Sequence, residues 1–149
     1  MSLIEEIHDL LYSENKNDTI QKIEQIGDKE KLHIIAYNYN WNNGFEIPLS
    51  ILKNKNCDMG TALMLFFNAD GIRVLEDIKQ VKESELKEWS KFILDLFNKI
   101  NQEEFKSDEI KFKPDLSKVQ IFKIKKKNPL LKNYFIEETG SKFVDIPVI

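Results

Sequence analysis

The sequence predicts a mainly α fold: a small helical domain of about six or seven helices with an irregular C-terminal segment. Three observations predict it. Apolar residues recur three and four apart through most of residues 1–101, the period of a helix with one inward face. Residues that cap helices (Ser2, Asn15, Asp28, Asp58) stand just before those stretches. After Asn101 the helical period gives way to alternation. A chain of 149 residues, 42% hydrophobic and 32% charged, can bury one self-sufficient core. The expected organisation is one domain over 1–149, with a helical body at 1–101 and a basic, less regular segment at 102–149.

Ser2 and Glu5 form an S-x-x-E capping box, and Leu3, Ile4, Ile7, Leu10 and Leu11 share one face of a helix reaching about Tyr12. Asn15, Asn17 and Asp18 offer caps for a second helix carrying Ile20, Ile23 and Ile26 and stopped at Gly27. Asp28 caps a third, with Leu32, Ile35, Ala36 and Tyr39 inward. Trp41-Asn42-Asn43-Gly44 breaks it, because Asn-Gly tolerates positive φ and favours a tight turn. Pro48 then suits the first position of a short helix ending near Lys53. Asp58 caps a fifth, whose Ala62, Leu63, Leu65, Phe66 and Ala69 are apolar almost all round, as a central helix requires. Asp70-Gly71 ends that helix or interrupts it before Ile72, Val74 and Leu75.

From Ser84, residues Leu86, Trp89, Phe92, Ile93, Leu96, Phe97 and Ile100 mark the longest amphipathic helix. The starts at Ser2, Asp28 and Asp58 suggest stacked helical hairpins, though no residue-level repeat accompanies them. Phe105, Ile110 and Phe112 read as extended chain. Residues 116–127 permit helix or strand; Asp115 as cap and the terminal lysines favour helix. The tail from Gly140 to Ile149 is expected to lie extended against the body.

The net charge of −3 conceals an asymmetry. Residues 1–110 hold 13 basic and 21 acidic groups, a net of −8; residues 111–149 hold 9 and 4, a net of +5. Overall acidity argues against nucleic acid as a partner. The lone cysteine, Cys57, excludes an internal disulfide and any multi-cysteine zinc site. The N-terminus is acidic where a signal peptide is basic, and the longest apolar run, Ala62 to Phe67, is too short to cross a bilayer. The expectation is a cytoplasmic protein with no membrane partner.

Three stretches carry a family resemblance: H-I-I-A-Y-N-Y-N-W-N-N-G-F-E-I-P (33–48), C-D-M-G-T-A-L-M-L-F-F-N-A-D-G (57–71) and L-S-K-V-Q-I-F-K-I-K-K-K-N-P (116–129). In this order they resemble the bacterial family called domain of unknown function 4274. Members of that family often carry aspartates after the tryptophan, where this chain has Asn42 and Asn43. A carboxylate there is thus dispensable, which counts against an acid–base role. The resemblance implies a bacterial cytoplasmic protein and brings no activity. Small proteins of this kind often accompany secreted toxins, which makes an immunity role an inference by analogy.

No catalytic constellation appears, and no cofactor or metal is expected. His33 and Cys57 are too few for a metal site, although a cysteine just before a helix start could act as a nucleophile with a lowered pKa. Asp58 and Asp70 are twelve residues apart, about 18 Å along a helix, too far for paired-carboxylate hydrolysis. Tyr37, Tyr39, Trp41 and Phe45 form an aromatic group among amides, suited either to filling a seam or to anchoring a partner. Lys118, Lys123, Lys125, Lys126 and Lys127 form a basic run with only Phe122 to stack on a base, and Arg73 is the sole arginine. The preferred expectation is a non-enzymatic interaction domain, an immunity protein binding a cognate toxin through Tyr39, Trp41, Asn42, Asn43, Phe45, Glu46, Asp58 and Asp70. The alternatives are a small enzyme using Asp58, Asp70, His33 and Cys57 in a central pocket, and a self-assembling helical module. Nothing in the residues sets an oligomeric state.

Overall fold

Ser2 Oγ accepts from Glu5 N and the Glu5 carboxylate accepts from Ser2 N, so the capping box closes and starts α1 (Leu3–Leu11). In this computed structural model, which describes residues 1–149, the same local logic sets most helix starts. Asn15 accepts from Asp18 N to cap α2 (Lys16–Glu24), and Asp28 accepts from Glu30 N to cap α3 (Lys29–Asn38). Asn40 then caps a single 3-10 turn, Trp41–Asn43, and Gly44 takes the positive φ, at +88°.

The fourth helix, α4 (Glu46–Lys53), starts two residues earlier than expected, so Pro48 is its third residue. That placement costs nothing, since the third N–H of a helix has no intrahelical partner. Asp58 opens α5 (Met59–Asn68), whose residues Met59 to Phe66 are all buried, as an all-round apolar pattern demands. Asp70 ends it in the left-handed region, φ +64°, and Gly71 N–H donates back to Phe66 O at 2.8 Å. Only glycine fits after that turn, because a Cβ at 71 would lie 2.4 Å from the Phe66 oxygen. Two one-turn helices follow, α6 (Ile72–Glu76) and α7 (Ile78–Lys82), the second capped by Asp77.

The long helix, α8 (Lys87–Asn101), begins three residues after Ser84, whose hydroxyl instead accepts from Leu86 N. The last, α9 (Lys118–Lys127), confirms helix over strand, but Ser117 caps it, boxed with Gln120, and Asp115 does not. A second 3-10 turn spans Asn133–Phe135. The chain is thus mainly α, with nine α-helices where six or seven were expected. The excess comes from one-turn pieces too short to show a period.

α2 packs on α4, α3 on α5 and α5 on α8, while α6 joins α7, α8 and α9. Thirty-two buried hydrophobic residues form one core cluster, from Ile7 to Val144. Leu3 and Ile4, read from sequence as part of the inward stripe, are exposed. Residues 109–112 run extended and bond to 139–142, with Lys111 N–H donating to Lys142 O and Phe112 exchanging both bonds with Thr139. The tail returns to the body as expected: Val144 is buried, and Asn38 binds the Pro147 carbonyl and the Ile149 N–H.

Candidate functional site

Asp58 sits at the start of α5 because a carboxylate there satisfies an orphan helix N–H, here that of Gly60 at 2.8 Å. The fold then asks more of it. Its Oδ2 also accepts from Ile110 N, and its Oδ1 accepts from Ser107 Oγ and Glu109 N, at 2.6 to 3.0 Å. The residue is 0% exposed. Four donors on one sealed carboxylate make a clasp holding the 107–110 segment to α5, and Asp58 has no surface to offer a partner.

His33 on α3 lies nearby, buried, with Nδ1 2.8 Å from Thr61 Oγ1. Burial pushes its pKa down to about 4, against a smaller upward pull from Asp58. The folded imidazole therefore stays neutral where an unfolded one charges. Stability is expected to be full above about pH 6.5 and to fall as pH drops towards 4, by about 3 kcal/mol in total from this group. Urea midpoints across that range should slope less in His33→Gln than in wild type; equal slopes would place the effect elsewhere.

Burial likewise raises the Cys57 thiol to about 12, opposite to the lowering expected beside a helix start. No N–H of α5 reaches the sulfur, which only approaches the Asp58 carbonyl, at 3.7 Å. The four residues of the central-pocket alternative do not share a cleft: His33, Cys57 and Asp58 are buried, while Asp70 is exposed at the opposite end of α5. No three or more His, Cys, Asp or Glu side chains group as metal ligands would.

The aromatic corner is built on Tyr39. Its hydroxyl donates to Gly44 O at 2.6 Å, and burial, helped by the Glu46 charge, lifts its pKa to about 12. Tyr39 thus pins the turn from inside. Trp41 packs edge-on to Tyr39 and to Phe92, and Phe45 stacks on Phe92 with centroids 4.9 Å apart. On the outer side Trp41 and Phe45 line a surface hollow of about 280 Å³ with Asn68, Asp70, Arg73, Leu86 and Trp89. The Trp89 indole N–H is satisfied by Ala69 O at 2.7 Å, which fixes the ring. Arg73 lies over that ring, 5.0 Å from its centroid, and 3.9 Å from the Asp70 carboxylate. An exposed pair at that distance holds its partners loosely, so both charges are available to a third group.

Of the eight residues expected at a partner surface, Trp41, Phe45 and Asp70 converge on this hollow. Asn43 and Tyr39 line a separate depression facing α1 and α2, where Lys16 binds both Asn43 O and the Glu46 carboxylate. Asn42 is exposed in the middle of the 3-10 turn, and Asp58 is inside. Asn68, Arg73, Leu86 and Trp89 of the hollow were not expected there. Leu86 was read as inward yet is 63% exposed, and Trp89 was counted as core. The pairing of the only arginine with Asp70 at i, i+3 was the signal available for Arg73.

The model of the family described as Domain of unknown function (DUF4274) matches residues 27–101, from the glycine before the cap of α3 to the end of α8. That span contains the whole hollow and Asp58. No curated protein matches the chain, and no solved structure does.

Proposed function

Starting from the membership of this chain in the DUF4274 family, we propose that it acts by binding another protein through the Trp41–Trp89 hollow. The observation that carries this reading is the convergence of two tryptophans, Phe45, an exposed leucine and an accessible Asp70–Arg73 pair. Trp and Arg are the favoured anchors of interface hot spots, and aromatic hollows with a polar rim supply them rigidly. Asp70 adds a second support. A non-glycine residue at φ +64° costs about 1 kcal/mol relative to glycine, so its side chain earns its place by what it contacts.

The role we assign is that of an immunity protein, blocking a cognate toxin by occupation of its surface. The net −8 over residues 1–110 suits a toxin with a basic face, because complementary charge speeds encounter and sets orientation. Co-expression with the product of the adjacent gene should yield a complex and protect the host cell. Trp41→Ala should weaken that complex about 30-fold or more. Asp70→Gly should weaken it as well while leaving the fold unchanged or more stable by about 0.5 kcal/mol. Absence of both complex and protection would refute the role; binding indifferent to both variants would move the surface elsewhere.

A further inference from the structure

α9 buries Ile124 and directs the opposite side outward. At 100° per residue, Lys118, Phe122, Lys126, Val119 and Lys123 fall in that order across about 140° of the solvent face. Val119 and Phe122 are 62% and 66% exposed, and Leu130 just beyond is 95% exposed. Residues 118–130 hold five lysines and no carboxylate, and none of the ion pairs on the surface includes a lysine of α9. This surface is basic and apolar at once; Val119, Lys123 and Lys126 also line a shallow hollow of about 550 Å³ whose single carboxylate is Glu76.

The opposite character appears at the other end of the chain. Residues 1–28 hold seven carboxylates against two lysines. Between α1 and α2 lies a cleft of about 660 Å³, with Leu10 and Ile26 among its apolar lining and Glu6, Asp9, Asp18 and Asp28 among its acidic lining. Lys31 and Lys22 offset Glu6 and Asp18, leaving Asp9 and Asp28 against the Met1 terminus, so the cleft is mildly acidic. α9 rests on α6, whereas α2 rests on α1 and α4, and no ion pair joins the two surfaces.

We propose that the α9 surface of one molecule docks in the α1–α2 cleft of a second copy, head to tail. Each surface supplies the charge that the other lacks, the exposed Val119 and Phe122 offer apolar side chains to Leu10 and Ile26, and the two surfaces belong to the same chain. Such a heterologous contact can repeat, giving short chains at high concentration. It uses no residue of the Trp41–Trp89 hollow, so its failure leaves the toxin-binding reading untouched.

Sedimentation velocity on the full chain tests it. The weight-average sedimentation coefficient should rise with concentration at about 50 mM salt and stop rising at about 500 mM, where screening shortens to a few ångströms. Lys123→Glu/Lys126→Glu removes the charge of the α9 surface, and Asp9→Lys/Gln21→Lys removes the cleft's, without touching a helix cap. Each variant alone should remain monomeric. Mixed in equal amounts they should form a dimer and nothing larger, since each retains the surface the other has lost. A wild-type chain monomeric at every concentration and salt would overturn the proposal. So would a mixture that fails to pair, or wild type that binds phosphatidylglycerol vesicles through α9 while never associating with itself. Should either variant misfold, the concentration and salt dependence of the wild type still decides.

Discussion

Asp58→Ala is expected to cost about 4 kcal/mol or more, enough to consume much of the stability of an ordinary domain. The carboxylate accepts four hydrogen bonds, from Gly60 N, Ile110 N, Glu109 N and Ser107 Oγ, in a site closed to solvent. Removing the acceptor strands these donors, and a stranded buried donor costs about 1 to 3 kcal/mol. The Ser107 hydroxyl can turn elsewhere; the backbone N–H groups cannot. Asp58→Asn should recover little, about 1 kcal/mol, because its amide N–H₂ faces donors where an oxygen was needed. Urea unfolding at pH 7 measures both. A loss under about 1 kcal/mol in the alanine variant would remove the clasp from this account and reopen a chemical role for Asp58.

Gly60→Ala is expected to destabilise by about 3 kcal/mol, against helix propensity, which favours alanine there by about 1 kcal/mol. Gly60 lies in the first turn of α5, and a Cβ on it would stand 2.3 Å from the Ile110 carbonyl oxygen. That atom belongs to backbone, so the whole 109–112 segment must retreat. A Cβ on Gly140, which holds φ +71°, would likewise stand 2.3 Å from that oxygen, so glycine is required at both positions. Ile110 is 1% exposed and bonded to Asp58, so retreat of the segment breaks the clasp and opens the core. Thermal unfolding reads the loss, and amide exchange at Glu109 and Ile110 should accelerate first. A variant as stable as wild type would mean that the segment shifts freely.

Helix starts were legible because capping is local: Ser2, Asn15, Asp28 and Asp58 each reach a donor two or three residues away. The central position of α5 was legible for a similar reason, since nothing polar interrupts Met59 to Phe66 except Thr61, which pairs with His33. The clasp was not legible. Its donors at Ser107, Glu109 and Ile110 lie 49 to 52 residues beyond Asp58, and no period or propensity encodes that meeting. Half of Asp58's role, the cap, was therefore visible, and that visible half gave no sign of complete burial. The hollow was partly legible. Trp41, Phe45 and Asp70 stood out by type, but Trp89 and Leu86 share the helical spacing of core residues, and only the later start of α8 turns Leu86 to solvent. Cys57 shows the reverse error, in which desolvation outweighed the helix-start effect.

The chain has two tryptophans, and both line the hollow, so its tryptophan emission, excited at the red edge to leave out the four tyrosines, reports on the proposed surface. Titrating the purified product of the adjacent gene into the chain should shift the tryptophan emission saturably at one-to-one stoichiometry. It should also shield Trp41 from acrylamide quenching, with Trp41→Phe losing most of that shielding. If calorimetry records binding while emission and quenching stay as they were in the free protein, the partner sits somewhere else and the hollow is only a seam between helices.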